Sequence, residues 1–153
     1  MAFTEEEIAY LRSQPLARIA TVADDGQPDV VPVGFEFDGT DFYIGGIDPA
    51  NTRRTRNVRA GNTKVALVVD DLASVRPWSP RYVRVYGTAE IVERQTRFGT
   101  APILKITPKV SWSFNLNGEW HRDGGPPTPH RTVHRPAPSA MAQKETMNDG
   151  RSS

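Results

Sequence analysis

RYVRVYGTAEIVE, residues 81–93, is the stretch that decides the fold. Apolar and polar residues alternate along it, as they do in a β-strand with one face buried and the other exposed. Four apolar residues share one face: Val83, Val85, Ala89 and Ile91. The opposite face carries Arg84, Tyr86, Thr88 and Glu90. This pattern is typical of an antiparallel sheet with a core on one side.

Segments on both sides of this stretch have the same character and are bounded by turn residues. The further predicted strands are LARIATVA (16–23), DVVPVGFEF (29–37), DFYIGG (41–46), TKVALVVDD (63–71) and one or two strands in ILKITPKVSWSFN (103–115). The DG turn before residue 41 predicts a hairpin. Pro32 has no N–H to donate, so its strand is expected at a sheet edge or at a bulge. About six short strands predict an antiparallel barrel or sandwich.

Two short helices complete this prediction. FTEEEIAYLRSQP (3–15) has Thr4 at the N-cap position and Glu7 three residues later, which is the pattern of a capping box. Pro15 ends this helix. The second helix is predicted from Thr52 to Ala60.

Composition excludes several kinds of active site. The chain has 153 residues, no cysteine and a net charge of +1. Its three histidines, at positions 121, 130 and 134, lie at or beyond the end of the segment with strand patterns, so a folded part without histidine is expected. This disfavours a zinc site, a Ser-His-Asp triad or histidine base catalysis, and no metal is predicted. An enzyme of this composition is expected to take its chemistry from a cofactor.

The composition changes at residue 122. Residues 122–153 contain five prolines and no aromatic residue, so they bury too little apolar surface to offset the entropy of ordering. We therefore predict a folded domain over 1–121 and a disordered Pro-rich tail over 122–153. No membrane-spanning or leader segment is recognised, so a cytoplasmic protein without a membrane partner is expected.

Positive charge is concentrated in DPANTRRTRNVRAGN, residues 48–62. Five of the 19 basic and three of the 18 acidic residues lie from residue 121 onward, so residues 1–120 carry 14 basic and 15 acidic residues. Against that background, four arginines stand close together: Arg53, Arg54, Arg56 and Arg59. No aromatic residue lies between them, which disfavours nucleic acid as a partner.

The arginines follow Gly45-Gly46 and open a helix. Glycines allow a backbone to approach a ligand closely, and the N–H groups of a first helical turn, with the Thr52 hydroxyl and a guanidinium, suit a phosphate. Asn57 lies one turn further on. The pattern fits an anion site, and it also fits a solvated helix face with weak surface ion pairs.

The order of these elements resembles the flavin- or deazaflavin-binding split β-barrel family, which includes the pyridoxamine-phosphate-oxidase-like proteins. The resemblance rests on an ordered series over residues 3–116: PVGF, a DG hairpin, IGG, NTRRTRNVR, KVALVVDD and VRVYGTAEIVE. VALVVDDLASVRPWSPRYVRVYGTAEIVE is most similar to the F420-dependent branch related to the oxytetracycline-pathway reductase. The resemblance implies a mainly β fold, a six-stranded antiparallel split β-barrel with short helices.

The resemblance also implies a site. Members are homodimers that hold the cofactor between subunits, with its phosphate bound after the IGG strand. Transferred to this chain, the phosphate residues are Thr52, Arg54 and Asn57, with Arg53 and Arg56 nearby. The family often has lysine at positions 53 and 54, and a guanidinium fork preserves phosphate binding.

The ring of the cofactor is expected along Pro32, Val33 and Gly34. Trp78 corresponds to an aromatic residue near the cofactor, with interface or core packing as the alternative. Arg84 is a weaker candidate for a contact with the cofactor, because a lone charged residue on a strand often forms an ion pair at a dimer interface.

The implied cofactor is F420, with FMN as the alternative. The implied reaction is hydride transfer to an unsaturated, enone- or imine-like small molecule, in a pocket shaped by the loop at residues 73–81 and by the second subunit. An FMN-dependent oxidase or reductase and a non-catalytic cofactor-binding protein are the alternative functions.

Overall fold

The structure is a computed structural model that describes residues 2–120 and 127–135. It contains two α-helices, α1 (Glu5–Ser13) and α2 (Arg53–Arg59), and a short 3₁₀ helix (Pro49–Asn51) immediately before α2. The strands of the described residues are β1 (Leu16–Val22), β2 (Pro28–Gly34), β3 (Glu36–Phe37), β4 (Phe42–Ile44), β5 (Lys64–Ser74), β6 (Ser79–Thr96), β7 (Gly99–Phe114) and β8 (His130–Val133).

All pairings between these strands are antiparallel. The strand order is β2-β1-β5-β6-β7-β4-β3, and β8 pairs with β7 outside this path. The two ends of the path, β2 and β3, are separated in the chain by Phe35 alone, so the sheet must curl until its ends lie side by side. The predicted mainly β, antiparallel fold is confirmed, and β2, which contains Pro32, lies at one end of the strand order.

The strand count differs from the six that the sequence predicted. The described residues form eight strands, because the segment at 29–37 divides at Phe35 into β2 and β3 and because β8 joins the sheet. Residues 103–115, for which one or two strands were predicted, contribute to a single strand, β7. The turn residues predicted the hairpins correctly, but no turn residue indicated that the apolar segment at 29–37 divides into two strands at Phe35.

The core fills the inside of the curled sheet. Val83, Val85 and Ala89 of β6 are buried, and Ile91 packs against the core, as their alternation predicted. α1 covers one end of the sheet, and its capping box is present: the Thr4 N–H donates to Glu7 Oε1 at 2.9 Å, and the Glu7 N–H donates to Thr4 Oγ1 at 3.1 Å. No helix in residues 2–120 or 127–135 is long and apolar enough to span a membrane.

β6 and β7 form the longest ladder, and a bulge interrupts it. Tyr86 pairs with Val110 and Gly87 pairs with Pro108, so Lys109 is an extra residue on β7. A Cβ atom on Gly87 would lie 2.6 Å from the carbonyl oxygen of Thr107, so only glycine fits this position. Such a bulge bends a strand and increases its twist. The parts of the β6–β7 ladder before and after the bulge are therefore inclined to each other.

Part of the predicted disordered tail is ordered, and the prediction is wrong for residues 130–133. These residues form β8, in which Val133 pairs with Val110 and His130 pairs with Ser113. Thr132 is buried, and the His134 ring lies next to β7 with Nε2 2.7 Å from Ser111 Oγ. The expected folded part without histidine is therefore also wrong. Residues 121–126 and 136–153 lie outside the described residues, and the proposed boundary at 121 stays a prediction.

Candidate functional site

Arg54 is the most constrained arginine of the cluster. Its Nη2 donates a 2.8 Å hydrogen bond to the carbonyl oxygen of Gly45, and its Nε is buried with no acceptor among the described residues. Burial lowers the pKa of the guanidinium from its ordinary value, although the charge of Asp29 acts in the opposite direction. Arginine stays charged in proteins even so. The side chain is thus a partly desolvated cation with an unused donor.

The turn before α2 positions this side chain. Thr52 is the N-cap, and its Oγ1 accepts a 3.2 Å hydrogen bond from the Thr55 N–H. α2 has only seven residues, so its dipole is small, and any anion here would be held mainly by side chains. The helix spans Arg53 to Arg59 with caps at Thr52 and Ala60, which confirms the predicted helix.

The other arginines of α2 point into solvent. Arg53, Arg56 and Arg59 are exposed, and none forms a salt bridge with a described residue. They are spaced three residues apart and therefore lie along one side of the short helix. This side is an unneutralised basic strip next to Arg54.

Asn57 points away from this strip. Its side chain is buried, and Nδ2 donates a 2.9 Å hydrogen bond to Oγ1 of Thr21, a buried residue of β1. The described structure therefore gives the Asn57 amide a role in joining α2 to the sheet. Its predicted contact with a phosphate stays a prediction.

The predicted ring-binding residues lie at one end of the sheet. Val33 is buried, whereas Pro32 and Gly34 are exposed on the outer side of β2. Gly34 also lines a cavity of about 780 Å³. The same cavity is lined by Gly45 and Gly46, the residues beneath the Arg54 guanidinium. The cavity thus lies between Gly34 of the predicted ring-binding strand and the glycine pair beneath Arg54, whereas the predicted phosphate residues themselves do not line it.

The second wall of this cavity was missed by the sequence analysis. It is the hairpin that joins β6 and β7, with Arg97 and the 73% exposed Phe98 at its tip. Arg94, on the same hairpin, lies over the Tyr43 ring at 3.8 Å and forms a 3.0 Å salt bridge with Glu36. The sequence offered one signal, since RQTRFGT carries a glycine between two extended segments.

Trp78 lies elsewhere, in a second cavity of about 600 Å³ on the outer face of the sheet. Trp78, Leu72 and Pro80 form one side of it, and Tyr82 and Arg84 of β6 form another. Within one chain, Trp78 therefore lies in a different cavity from Gly45 and Gly46, the residues beneath the Arg54 guanidinium. Three residues of the loop at 73–81 line this cavity: Trp78, Pro80 and Arg81. That the cavity is the substrate pocket stays a prediction.

Two ion pairs border this second cavity. Arg18 pairs with Asp70, and Arg81 pairs with Asp71. The hydrogen bonds from Arg81 are the main reason that the pKa of Asp71 lies below its ordinary value. Burial, with the hydrogen bond to Asp71, raises the pKa of the Tyr10 hydroxyl. At this border of the cavity, the charges of Arg18 and Arg81 are therefore neutralised by neighbouring carboxylates.

Comparison with known proteins agrees with this architecture. The sequence profile for pyridoxamine 5'-phosphate oxidase matches residues 3–133, a range that includes β8. A 5a,11a-dehydrotetracycline/5a,11a-dehydrooxytetracycline reductase of Streptomyces rimosus is 47% identical over 126 residues, covering 78% of this chain and 87% of that protein.

Two solved structures show the same fold. One from Lactobacillus delbrueckii, assigned provisionally as a pyridoxamine 5'-phosphate oxidase, has a TM-score of 0.55 at 28% identity and covers 71% of this chain and 91% of that chain. A conserved hypothetical protein from Mycobacterium tuberculosis has a TM-score of 0.61 at 17% identity and covers 92% of this chain and 96% of that chain. The family resemblance stated from the sequence is confirmed: the chain belongs to the pyridoxamine 5'-phosphate oxidase family of oxidoreductases.

Proposed function

We propose that the protein is an F420-dependent reductase that transfers a hydride to an enone- or imine-like small molecule. The observation that carries the proposal is Arg54, a partly buried guanidinium with an unused donor that lies against Gly45 and Gly46, two residues that line a cavity of about 780 Å³. The relative from Streptomyces rimosus is named as a reductase of dehydro compounds, which supports reduction of an unsaturated bond as the reaction class.

The residues at the turn fit a phosphate. The guanidinium of Arg54 has one donor held by Gly45 and a second, Nε, without an acceptor in the described residues. Nε is buried, so a phosphate oxygen would accept from it only after a shift of the Arg54 side chain or of the Gly45-Gly46 turn, and the negative charge would then offset the desolvation of the cation. The Thr52 hydroxyl is on the same turn, but its hydrogen already has the Pro49 carbonyl oxygen at 3.2 Å and Thr55 Oγ1 at 2.9 Å as acceptors, so it would donate to a phosphate only in exchange for these bonds.

The cavity beside this turn fits a flat ring system. Phe35, Ile103 and Phe98 give it apolar walls, and Gly34, Gly45 and Gly46 present backbone without side chains. When bound there, a reduced deazaflavin supplies the hydride for the reaction. The role of the protein's own residues is to orient the ring against the exposed side of β2 and to keep water from one of its faces.

The choice of F420 over FMN rests on the basic strip of α2. FMN ends in one phosphate, whereas F420 continues into an oligoglutamate tail with several carboxylates. Arg53, Arg56 and Arg59 are exposed, unpaired with described carboxylates and aligned on one side of the helix. Such a strip suits a chain of negative charges that extends beyond the phosphate.

We also propose that the active form is a homodimer with the site at the subunit interface. The outer face of the sheet carries large apolar side chains that the described residues leave exposed, among them Val30, Leu72 and Tyr86. A second copy placed on this face would bury them and would add a further wall to the cavity beside Trp78, leaving that cavity as a pocket between the subunits. The cytoplasmic location expected from the sequence remains a prediction.

Titration with F420 tests the proposed function. We expect the full-length protein to bind oxidised F420, and Arg54→Ala to weaken binding by about 1.5–3 kcal/mol, the contribution of a hydrogen bond to a charged group. Arg12→Ala is the matched control, because Arg12 is exposed on α1, away from both cavities. Unchanged F420 affinity in Arg54→Ala would remove the basis of the phosphate assignment.

Turnover separates an enzyme from a binding protein. With F420 kept reduced, we expect oxidation of the cofactor to depend on an added conjugated enone or imine. A protein that binds F420 tightly but turns over none of a panel of such substrates would be the non-catalytic alternative. Binding of FMN in preference to F420 would favour the alternative cofactor.

A further inference from the structure

We propose that Arg84 is the anion-binding residue of the second cavity, so that this cavity takes a flat, conjugated ligand with a carboxylate or an ionised enol. The inference deepens the proposed function, since it assigns a substrate class to that reductase. It rests on the cavity of about 600 Å³ and on the surroundings of one guanidinium within it.

Aromatic rings hold the Arg84 guanidinium in place. Its Cζ lies 4.1 Å from the centre of the Trp112 ring and 5.4 Å from that of Tyr86. Trp112 and Tyr86 themselves pack edge to face, with ring centroids 4.9 Å apart. A planar guanidinium on an aromatic face keeps its in-plane N–H donors free for a ligand. The donors are therefore positioned before any ligand arrives.

Charge pairing leaves Arg84 as the available cation. Of the three arginines that line the cavity, Arg18 is paired with Asp70 and Arg81 with Asp71. Arg84 forms no salt bridge with any residue in 2–120 or 127–135. An anionic group that enters the cavity thus meets one uncompensated positive charge, and that charge is fixed in position.

The remaining walls favour a flat, apolar body. Val68, Leu72, Trp78 and Pro80 line the cavity, and its surface is predominantly apolar. Tyr82 adds a further ring, stacked on Phe114 at a centroid distance of 5.3 Å. Planar conjugated molecules bury most area against such walls. The unpaired charge of Arg84 and the flat, apolar walls together favour a ligand with a conjugated ring system and one anionic oxygen group.

The strand register brings this cavity close to the predicted ring-binding strand. Pro32 is opposite Arg18, Arg18 is opposite Val68, and Val68 is opposite Arg84. Adjacent strands are 4.7–4.9 Å apart, so the backbones at Pro32 and Arg84 are separated by about 14 Å across the sheet. Arg18 and Val68 lie between them, and both line the second cavity. A ligand anchored on Arg84 therefore extends toward the place where the cofactor ring is proposed.

Calorimetry with a defined probe tests the proposal. The probe is 3-hydroxy-2-naphthoate, a planar carboxylate, and its methyl ester is the neutral control of nearly the same shape. We expect the full-length protein to bind the acid at least about ten-fold more tightly than the ester. We expect Arg84→Gln to abolish this preference, Arg84→Lys to keep part of it, and Arg12→Gln to leave it unchanged.

F420 affinity and sedimentation distinguish an anion site at Arg84 from a contact of Arg84 with a second subunit. F420 affinity should be unchanged in Arg84→Gln, and so should the oligomeric state in sedimentation. A preference for the acid that survives Arg84→Gln would overturn the proposal, as would dissociation of a dimer in this variant, which would show that Arg84 pairs with a second copy. If the wild type fails to bind F420 but retains an Arg84-dependent preference, the proposed function fails and the anion site stands.

Discussion

A Cβ atom on Gly46 would lie 2.9 Å from Nη2 of Arg54, and Gly46 has a φ of +115°. The backbone at position 46 therefore passes directly beneath the guanidinium, in a conformation that residues with a side chain rarely adopt. Because the same guanidinium is bonded to the Gly45 carbonyl, it has little freedom to move aside. The glycine pair and the arginine form one unit.

Replacing Gly46 by alanine should therefore weaken cofactor binding. We expect Gly46→Ala to displace the Arg54 guanidinium and to lower F420 affinity by at least about ten-fold, as loss of a charged hydrogen bond would. The backbone strain should also lower the free energy of unfolding by about 1–2 kcal/mol. Fluorescence titration and urea denaturation measure the two effects.

Gly61→Ala is the matched control for this variant. Gly61 has a similar φ of +105°, but a Cβ atom there would meet no heavy atom within 4 Å. We expect a similar loss of stability with unchanged F420 affinity. If both variants lost affinity equally, backbone strain and not the position of Arg54 would be the cause.

The basic strip of α2 should distinguish the two cofactors. In a variant with Arg53, Arg56 and Arg59 all changed to glutamine, we expect F420 to bind about ten-fold more weakly at low salt, with a smaller change for FMN, because only F420 carries a long anionic tail. The F420 affinity of the wild type should also fall with added salt more steeply than that of the variant. Equal losses for both cofactors would contradict a role in binding the tail.

Asn57 should act on stability through Thr21. The amide donates to the Thr21 hydroxyl inside the protein, so Asn57→Ala leaves a buried hydroxyl without its partner and should cost about 1–3 kcal/mol. A double-mutant cycle with Thr21→Val measures the coupling by urea denaturation. F420 titration of the same variants tests the predicted phosphate contact. Loss of affinity without coupling to Thr21 would assign Asn57 to the cofactor instead.

His134 should make stability depend on pH. Burial lowers the pKa of its imidazole below the ordinary 6.5, although the charge of Glu7 acts in the opposite direction. The unfolded chain then binds a proton more readily than the folded one, so the stabilising contribution is present above pH 6.5 and is lost as the pH falls below it.

We expect the free energy of unfolding of the wild type to decrease from pH 7 to pH 5. His134→Gln should show a smaller decrease, because glutamine does not titrate but can still hydrogen bond to Ser111. Urea denaturation at several pH values provides the comparison, and His130→Gln is the control, since His130 is exposed at the start of β8, four residues before His134. Identical pH dependence in wild type and His134→Gln would exclude this role.

Local signals were sufficient for most of the fold. Thr4 and Glu7 formed the capping box, the alternation around Val83 and Val85 gave the buried face of β6, and Pro32 marked a strand at the end of the sheet order. In each case the deciding interaction lies within a few residues of the chain or follows from the two-residue period of a strand.

Long-range contacts account for what the sequence did not reveal. β8 exists because four residues of a proline-rich segment pair with β7, about 20 residues earlier, and no local composition signals such a partner. Similarly, the family resemblance assigned Asn57 to the phosphate, and no local pattern signals that its side chain donates a hydrogen bond to Thr21 of β1. The Phe98 hairpin was missed as a wall of the cavity because β6 and β7 extend beyond the segments that the alternation of apolar and polar residues predicted.

The bulge between Gly87 and Lys109 divides a single ladder that serves both cavities. Arg84 lies on one side of it along β6, and Arg94 lies on the other. Inserting one residue into β6 between them, without a compensating bulge, would exchange inward and outward side chains in the rest of β6 and move charges into the core. Inserting two would restore the original sides. Within this ladder, an odd change in chain length is therefore compatible with both cavities only where a bulge absorbs the extra residue, as it does at Lys109 of β7.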